Sequence, residues 1–276
     1  MPLRTPPRGP KASDPLPREV TGLERPGESR NGAGRLPRGT GVAIPSVWVP
    51  DDAPLLFVGD VQGCAEDLAR LLERAGFESS RHRLVPLGDT INRGPDAAGV
   101  IRLLRETGAV PIVGNHERDL LTLRGADKLL GKARDAGSAI GQLRQAGLWE
   151  EALDWIAAWP VLARGPGWIA VHAGLHPRLK PEETSAEFLT TVRWCSPAGD
   201  LPGEGFARGL DAPHGFFPWH EFYSGENTVF FGHWARQGLF LRKRLRGLDT
   251  GCVYGRQLTG VWWPEDRLVQ VDAVKR

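Results

Sequence analysis

Hydrophobic and polar positions along the chain change their spacing at regular intervals after residue 54. The apolar run Leu55–Val58 ends at a glycine and predicts a short buried strand. Apolar residues then recur at helical spacing from residue 65 to 75, with acidic residues in the first turn and Gly76 as the stop. The alternation continues with strand Leu84–Leu87, a helix that opens at Pro95, and strand Ala109–Val113. This order predicts an α/β fold whose strands are at least partly parallel.

The rest of the chain divides into two further regions. Residues from about 119 to 160 have helical spacing and predict a helical insertion. Short strands are predicted after it, at Trp168–Val171, Thr228–Phe231, Arg246–Asp249, Gly260–Trp263 and Leu268–Val271. Residues 1–50 are rich in proline, glycine and arginine and show no period that would bury a face, so we expect a disordered tail. Residues 51–276 are then one domain.

Composition and charge narrow the class of protein. The chain has 276 residues, of which 41% are hydrophobic and 25% charged, as in an ordinary globular protein. The net charge is +2, but residues 1–40 carry eight basic against four acidic residues, so the remaining domain is slightly acidic. That domain therefore lacks the excess of basic residues that is typical of nucleic-acid-binding proteins. No apolar run approaches the roughly 20 residues that span a bilayer, and the three cysteines show no paired spacing. We therefore expect a cytoplasmic protein without membrane contacts or an obligate protein partner.

Side chains that commonly bind metals follow several of the predicted strands. They are Asp60, Asp89, Asn115 with His116, His172 and His233. Because ligands gather at the carboxyl ends of strands in open α/β sheets, these side chains could converge. Each one alone is a common structural residue, but five such positions are hard to explain by packing. Carboxylate, amide and imidazole together suit divalent ions such as Mn²⁺, Fe²⁺, Zn²⁺ or Mg²⁺.

The same positions lie in five short motifs. The motifs are Gly59-Asp60-Val61-Gln62-Gly63, Gly88-Asp89-Thr90-Ile91-Asn92-Arg93-Gly94, Gly114-Asn115-His116-Glu117, Val171-His172-Ala173-Gly174 and Gly232-His233. They resemble the signature motifs of the calcineurin-like metallophosphoesterases and occur in the order typical of that family, which makes the combination specific. The resemblance implies a four-layer sandwich of two mixed β-sheets flanked by helices.

The resemblance also implies two divalent metal ions, for which we expect Mn²⁺, with Mg²⁺, Co²⁺, iron or Zn²⁺ as alternatives. The metal ligands it implies are Asp60, Gln62, Asp89, Asn115, His172 and His233, with Asp89 bridging the two ions. A hydroxide shared between the ions would attack phosphorus. Gln62 stands where most members have histidine, so it could bind its ion directly, bind through a water, or hydrogen-bond to Asp60.

Four further residues receive roles from the resemblance. His116 would be the general acid, with Asn92 beside it in the motif order. Arg93 and Arg193 would bind substrate phosphate, with a surface salt bridge as the alternative for Arg93.

One branch of the family is the most similar, the symmetrical bis(5′-nucleosyl)-tetraphosphatases. The residues that carry this resemblance are Cys64, Arg193-Trp194-Cys195, Gly232-His233-Trp234-Ala235 and Leu248-Asp249-Thr250-Gly251-Cys252. It implies hydrolysis of a phosphoanhydride bond in dinucleoside polyphosphates, with diadenosine tetraphosphate giving two ADP. Capped 5′ ends of RNA are a further candidate substrate.

Two alternatives belong to other classes. A Ser/Thr protein phosphatase of the same fold would have aspartate at Asn92, because a serine alkoxide needs a stronger acid than a departing phosphate does. In a scaffold without activity, several metal-ligand positions would carry residues that cannot bind a metal. Here only Gln62 departs from the motif. Asp249 either orients a ligand histidine or serves a plain turn.

Overall fold

The computed structural model describes residues 44–124, 138–203 and 211–275. The strands in this part of the chain are β1 Ser46–Trp48, β2 Leu55–Val58, β3 Arg83–Pro86, β4 Leu162–Gly165, β5 Trp168–Val171, β6 Trp194–Cys195, β7 Phe217–Pro218, β8 Thr228–Phe231, β9 Phe240–Arg242, β10 Leu245–Gly247, β11 Gln257–Trp263 and β12 Arg267–Asp272. The α-helices are α1 Ala65–Ala75, α2 Ala97–Glu106, α3 Asn115–Arg124, α4 Ala139–Gln145, α5 Trp149–Ala157 and α6 Ala186–Thr191. Strands β2, β5 and β8 are short and buried along their whole length, as their continuous apolar runs predict.

Ten of these strands form two mixed sheets. The larger sheet has the order β1-β4-β5-β8-β10-β9, and its pairs β1–β4, β5–β8 and β8–β10 are parallel. The smaller sheet has the order β12-β11-β2-β3, with only β2 and β3 parallel. Strands β6 and β7 form a separate two-stranded sheet.

The two large sheets pack face to face around an apolar core. Phe57 of β2 stacks on Phe230 of β8, with ring centroids 3.8 Å apart and planes 10° from parallel. Trp168 of β5 meets the same Phe57 edge-on at 4.9 Å. Leu56 and Val58 alternate with Phe57 and face the other way, against the helices that form the outer layer. This is the four-layer α/β sandwich of two mixed sheets that the sequence predicts.

Helices cover the outer faces of the sandwich. Helix α1 ends where predicted, because Gly76 takes the left-handed conformation (φ 70°) that caps a helix. Helices α3, α4 and α5 occupy the described parts of the predicted insertion, and residues 125–137 of that prediction lie outside them. Among the described residues, no helix combines the length and the apolar character needed to cross a membrane.

The predicted boundary of the N-terminal tail is wrong at its C-terminal end. Strand β1 lies inside the predicted tail, pairs with β4, and forms an edge of the larger sheet. Val49 is buried, and its N–H donates to Arg164 O at 2.8 Å. The sequence does not predict this strand, because three residues are too few to show an alternating pattern of apolar and polar positions, and the two that flank Val47 are exposed. Residues 1–43 of the predicted tail lie outside the described part of the chain.

The predicted strand at Ala109–Val113 is an extended segment rather than a regular strand. Val110 N donates to Leu84 O at 2.8 Å and Ile112 N to Pro86 O at 3.1 Å, as in a parallel pair. The bond in the reverse direction would have to come from the N–H of residue 86, and proline has none. The segment therefore lies beside β3 without completing a ladder.

Candidate metal centre and active site

The predicted site residues lie on loops that leave the carboxyl ends of strands from both large sheets. Asp60 follows β2 and Asp89 follows β3 in the smaller sheet, while His172 follows β5 and His233 follows β8 in the larger one. Asn115 begins α3, directly after the extended segment beside β3. The sandwich thus brings all six predicted metal ligands to one edge, where parallel strands of the two sheets end.

The backbone of these loops is strained in a way that marks a functional site. Among the described non-glycine residues, seven have left-handed φ values, and five of them are predicted site residues: Gln62, Asp89, Asn92, Arg93 and His233. Such conformations are costly for residues with a Cβ and persist where surrounding contacts enforce them. Gly88 beside them has φ 87°, and a Cβ there would lie 2.7 Å from both Gly114 N and His172 Nδ1.

One group of ligand atoms contains Asp89, Asn115, His172 and His233. The Nε2 atom of His172 lies 3.2 Å from Asn115 Oδ1 and 3.4 Å from Asp89 Oδ1. Burial lowers the pKa of His172 to about 4, so the ring is neutral near pH 7. Because His172 Nδ1 lies 2.7 Å from the acceptor Leu87 O, its proton sits there and Nε2 carries a lone pair. Three acceptor atoms therefore face one another.

His233 completes this group from the larger sheet. Burial lowers its pKa well below the usual value, so this ring is neutral too. Its Nε2 lies 3.1 Å from Thr191 O and donates to it, which leaves Nδ1 as the acceptor. The ligand atoms of Asp89, His172 and His233 all lie within 4.8 Å of one another.

A second group surrounds Asp60. Its Oδ1 accepts from His233 N at 2.9 Å, whereas Oδ2 is buried without a hydrogen-bond partner in the described structure. The Oε1 atom of Gln62 is likewise buried and unpartnered there. The carboxylate of Asp249 lies close enough to Asp60 for the two charges to interact. Burial, reinforced by the charges of Asp249 and Asp89, raises the pKa of Asp60 well above its usual range.

These two groups fit divalent cations. Buried acceptors that face one another without donors are unfavourable, and so are carboxylates that raise one another's pKa. Burial also raises the pKa of Asp89 and of Asp249 to about 6. Cations placed among these atoms would satisfy the lone pairs and stabilise the ionised carboxylates. The donor set is rich in oxygen around Asp60 and mixed around His172.

Glu117 is a buried residue beside the site for which the motifs predict no role. It is fully buried, and its carboxylate accepts five hydrogen bonds, from Asp89 N, Gly114 N, Thr90 N, Thr90 Oγ1 and Ile91 N. This network fixes the loop that carries Asp89 in its left-handed conformation. The available signal was the position of Glu117 in the Gly114–Glu117 motif, next to two predicted site residues.

For Asp249 the sequence predicts either a turn or the orientation of a ligand histidine, and the structure shows a turn and a neighbouring carboxylate. Its Oδ1 accepts from Gly251 N at 3.1 Å, which confirms the turn role. It also lies against Asp60. The signal for this contact was available, since Asp249 follows a predicted strand, as the metal-ligand candidates do.

His116 and Asn92 form a hydrogen-bonded pair at the edge of these two groups of ligand side chains. Asn92 Oδ1 accepts from Arg93 N at 3.0 Å, which orients the amide so that Nδ2 donates to His116 Nδ1 at 2.8 Å. The remaining proton of a neutral His116 therefore sits on Nε2, which lies 3.5 Å from Asp89 Oδ2. A neutral amide does not stabilise the imidazolium as a carboxylate would. The partner of His116 Nδ1 is thus an amide and not the carboxylate that would favour the protonated ring.

The two predicted phosphate-binding arginines lie at different depths. Arg193 is half-buried, and its Nη2 donates to His233 O at 3.3 Å. Burial lowers the pKa of its guanidinium, and the carboxylates of Asp249, Asp60 and Asp89 oppose that shift. Arg93 is exposed, and its Nη1 donates to the hydroxyl of Tyr254. Among the described residues, no ion pair joins Arg93 to a carboxylate, so the structure does not support a surface salt bridge as its role.

Comparison with known proteins agrees with this geometry. The family model for calcineurin-like phosphoesterases matches residues 53–237. A symmetrical bis(5′-nucleosyl)-tetraphosphatase of Acidovorax sp. is 33% identical over 75% of this chain and 91% of its own length. The enzyme of the same name from Aromatoleum aromaticum is 28% identical over 79% of this chain and 97% of its own.

Solved structures give the same result for the fold. A crystal structure assigned as a diadenosine tetraphosphatase superposes with a TM-score of 0.69 at 29% identity, covering 84% of this chain and 100% of that one. A yeast serine/threonine phosphatase similar to human PP5 superposes with a TM-score of 0.55 at 15% identity, over 84% and 85% of the two chains. The second likeness concerns the fold alone. Together with the matched family model, which spans well over half of the sequence, the motifs and the paired ligand groups show that this chain belongs to the calcineurin-like phosphoesterase family.

Proposed function

We propose that the protein hydrolyses dinucleoside tetraphosphates symmetrically, so that diadenosine tetraphosphate yields two ADP. The observation that carries this substrate class is the contact between Asn92 Nδ2 and His116 Nδ1 at 2.8 Å. In the reaction a water oxygen forms a bond to phosphorus and the bridging P–O bond breaks. A departing ADP carries the negative charge on phosphate and needs little protonation, whereas a departing serine alkoxide needs a strong acid.

The family implies a site for two divalent ions, and the ligand groups described above are their proposed positions. Asp60, Gln62 and Asp89 would hold the first ion, and Asp89, Asn115, His172 and His233 the second. Bound there, the cations supply Lewis acidity, which lowers the pKa of water and neutralises charge on the phosphoryl oxygens. We propose Mn²⁺, because the oxygen-rich group around Asp60 suits a hard or borderline ion.

The other site residues would act on the phosphate chain. Arg93 and Arg193 would bind its oxygens, since a guanidinium matches two phosphate oxygens at once. His116 would donate a hydrogen bond from its Nε2–H to the departing oxygen, which suits a leaving group that needs little protonation. The names of the relatives support the same substrate. Capped 5′ ends of RNA also contain phosphoanhydride bonds and are a second candidate substrate.

The competing function is a Ser/Thr protein phosphatase. Purified enzyme with Mn²⁺ should show a kcat/KM for diadenosine tetraphosphate at least about a hundredfold above that for a phosphoserine peptide, a difference of roughly 2.7 kcal/mol in transition-state stabilisation. Asn92→Asp should narrow that ratio, because a carboxylate beside His116 favours its protonated form, which is the form that can protonate a serine leaving group. A phosphoserine peptide as the better substrate of the unmodified enzyme would favour the competing function.

A further inference from the structure

A rigid turn after β10 places Tyr254 beside the site. Residues Cys252–Tyr254 form a single 3₁₀ turn between Gly251 (φ 74°) and Gly255 (φ 76°), both of them left-handed. Cys252 is buried, and Tyr254 N donates to Gly251 O at 3.0 Å. The ring of Tyr254 is 54% exposed, so this turn holds an aromatic side chain outward.

Two hydrogen bonds attach this turn to the loops of the metal cluster. Asp249, whose carboxylate lies close enough to Asp60 for the two charges to interact, accepts from Gly251 N at 3.1 Å. On the other side of the turn, Arg256 Nη1 donates to Ala235 O at 3.1 Å, in the loop that follows His233. The position of Tyr254 is therefore set by the same loops that carry the metal ligands.

Tyr254 contacts the exposed phosphate-binding candidate Arg93. The guanidinium donates a hydrogen bond to the phenol oxygen, and its carbon lies 5.8 Å from the ring centroid. The base of Arg93 is fixed by its own left-handed backbone (φ 63°) and by the bond from its N–H to Asn92 Oδ1 at 3.0 Å. Tyr254 fixes the other end of a long side chain that would otherwise sample many rotamers in solvent.

We propose that Tyr254 is a positioning residue for Arg93. Its hydroxyl holds the guanidinium at the edge of the metal cluster, so that the arginine meets the substrate phosphate already oriented. Preorganised donors bind more tightly because less side-chain freedom is lost on binding. The inference rests on the proposed function in one respect, namely that Arg93 binds a phosphate of the substrate.

A double-mutant cycle tests whether Tyr254 acts through Arg93. Tyr254→Phe keeps the ring and removes the hydroxyl, and we expect kcat/KM to fall about tenfold, mainly through a higher KM, as for loss of a hydrogen bond to a charged group. In an Arg93→Ala background, Tyr254→Phe should cause no further loss, because the residue it positions is gone. Equal losses in both backgrounds would overturn the proposal. So would an active Tyr254→Phe enzyme combined with an impaired Tyr254→Leu enzyme, since that result would assign the role to the ring.

The chain offers a matched control. The sequence has two tyrosines, and the hydroxyl of the other, Tyr223, donates to Asn227 O at 2.7 Å. Tyr223→Phe removes the same group in a different loop and should leave kcat and KM unchanged. The melting temperature and the number of bound Mn²⁺ ions should be equal in all variants, which separates positioning from a general loss of structure.

Running the cycle on two substrates separates this proposal from the proposed function. The second substrate is bis(p-nitrophenyl) phosphate, which carries a phosphodiester and no nucleoside. If the enzyme cleaves only this ester, the tetraphosphatase assignment fails, while the coupling between Tyr254 and Arg93 is still measured on it. Coupling on the cleaved substrate supports the positioning role, and additive losses on it overturn that role.

Discussion

At the scale of single residues, the sequence predicts which side chains come together at the site, but it does not predict many of the contacts around them. All six predicted metal ligands lie in two adjacent groups, because each follows a strand, or for Asn115 the extended segment beside β3, that ends at the same edge. The strained backbone at Gln62 and Asp89 could not be predicted, since it depends on contacts made by distant residues. Glu117 is the example: it fixes the Asp89 loop from 28 positions away in sequence. Local patterns do not report such contacts.

The unpartnered Oε1 of Gln62 leads to a prediction about metal selectivity. An amide oxygen is a harder and weaker donor than an imidazole nitrogen, so the first ion should be held less tightly than the second and should favour Mn²⁺ or Mg²⁺. Gln62→His should tighten Zn²⁺ binding there by about tenfold or more. Histidine also tolerates the left-handed backbone at this position (φ 47°).

Calorimetric titration of Mn²⁺ and Zn²⁺ into both proteins checks this. Gln237→His is the matched control, because Gln237 contacts His220 rather than the proposed ligands. Two equally tight sites in the unmodified protein, unchanged by Gln62→His, would contradict the assignment of Gln62 as a ligand.

At the scale of elements, the buried strands were predicted most accurately. Trp168–Val171 and Thr228–Phe231 form β5 and β8 with the predicted bounds, because a continuous apolar run is typical of a strand covered on both faces. Helix α2 begins two residues later than predicted, since the side chain of Asp96 rather than the ring of Pro95 caps it, accepting from Gly99 N at 2.7 Å. Edge elements were predicted least well, and β1 was missed.

Strand β1 gives a prediction about truncation. Deleting residues 1–43 should leave turnover and melting temperature nearly unchanged, because the composition of that segment offers no apolar face. Deleting residues 1–49 also removes buried Val49 and the bond from Val161 N to Pro45 O. Losing one buried valine and the backbone hydrogen bonds that join this segment to β4 should lower the melting temperature by roughly 5–10 °C. Scanning calorimetry of the two truncations checks this, and equal melting temperatures would show that β1 adds no stability.

At the scale of the whole molecule, the fold places carboxylates where burial disfavours their charge. Asp60 and Asp89 come from the smaller sheet, Asp249 follows β10 of the larger one, and all three are buried. The sequence predicted the fold class and the family, because the motifs and strand order are specific. The assignment of each residue to one ion is a prediction, as is the cytoplasmic location.

The shifted pKa values predict how metal binding depends on pH. The pKa of Asp89 and of Asp249 is about 6 and that of His172 about 4, so on acidification the carboxyls take up protons before His172 does. Cations bind the carboxylate form, so affinity for Mn²⁺ should fall about tenfold per pH unit for each proton displaced below about pH 6, and level off above about pH 7.

Calorimetry in two buffers of different ionisation enthalpy measures the protons released on binding. We expect release of about one proton or more near pH 5.5 and almost none near pH 7.5. Affinity that is constant across this range, with no proton release at the acidic end, would contradict the assignment of these carboxyls to the metal centre.

The most direct test of the account is product analysis after diadenosine tetraphosphate is incubated with enzyme and Mn²⁺. ADP should be the sole nucleotide product at early times. Excess chelator should abolish its formation, and so should His172→Ala or His233→Ala, whereas His214→Ala, at an exposed position outside the cluster, should not. Formation of ATP and AMP would contradict symmetrical cleavage, and full activity in excess chelator would contradict the metal centre itself.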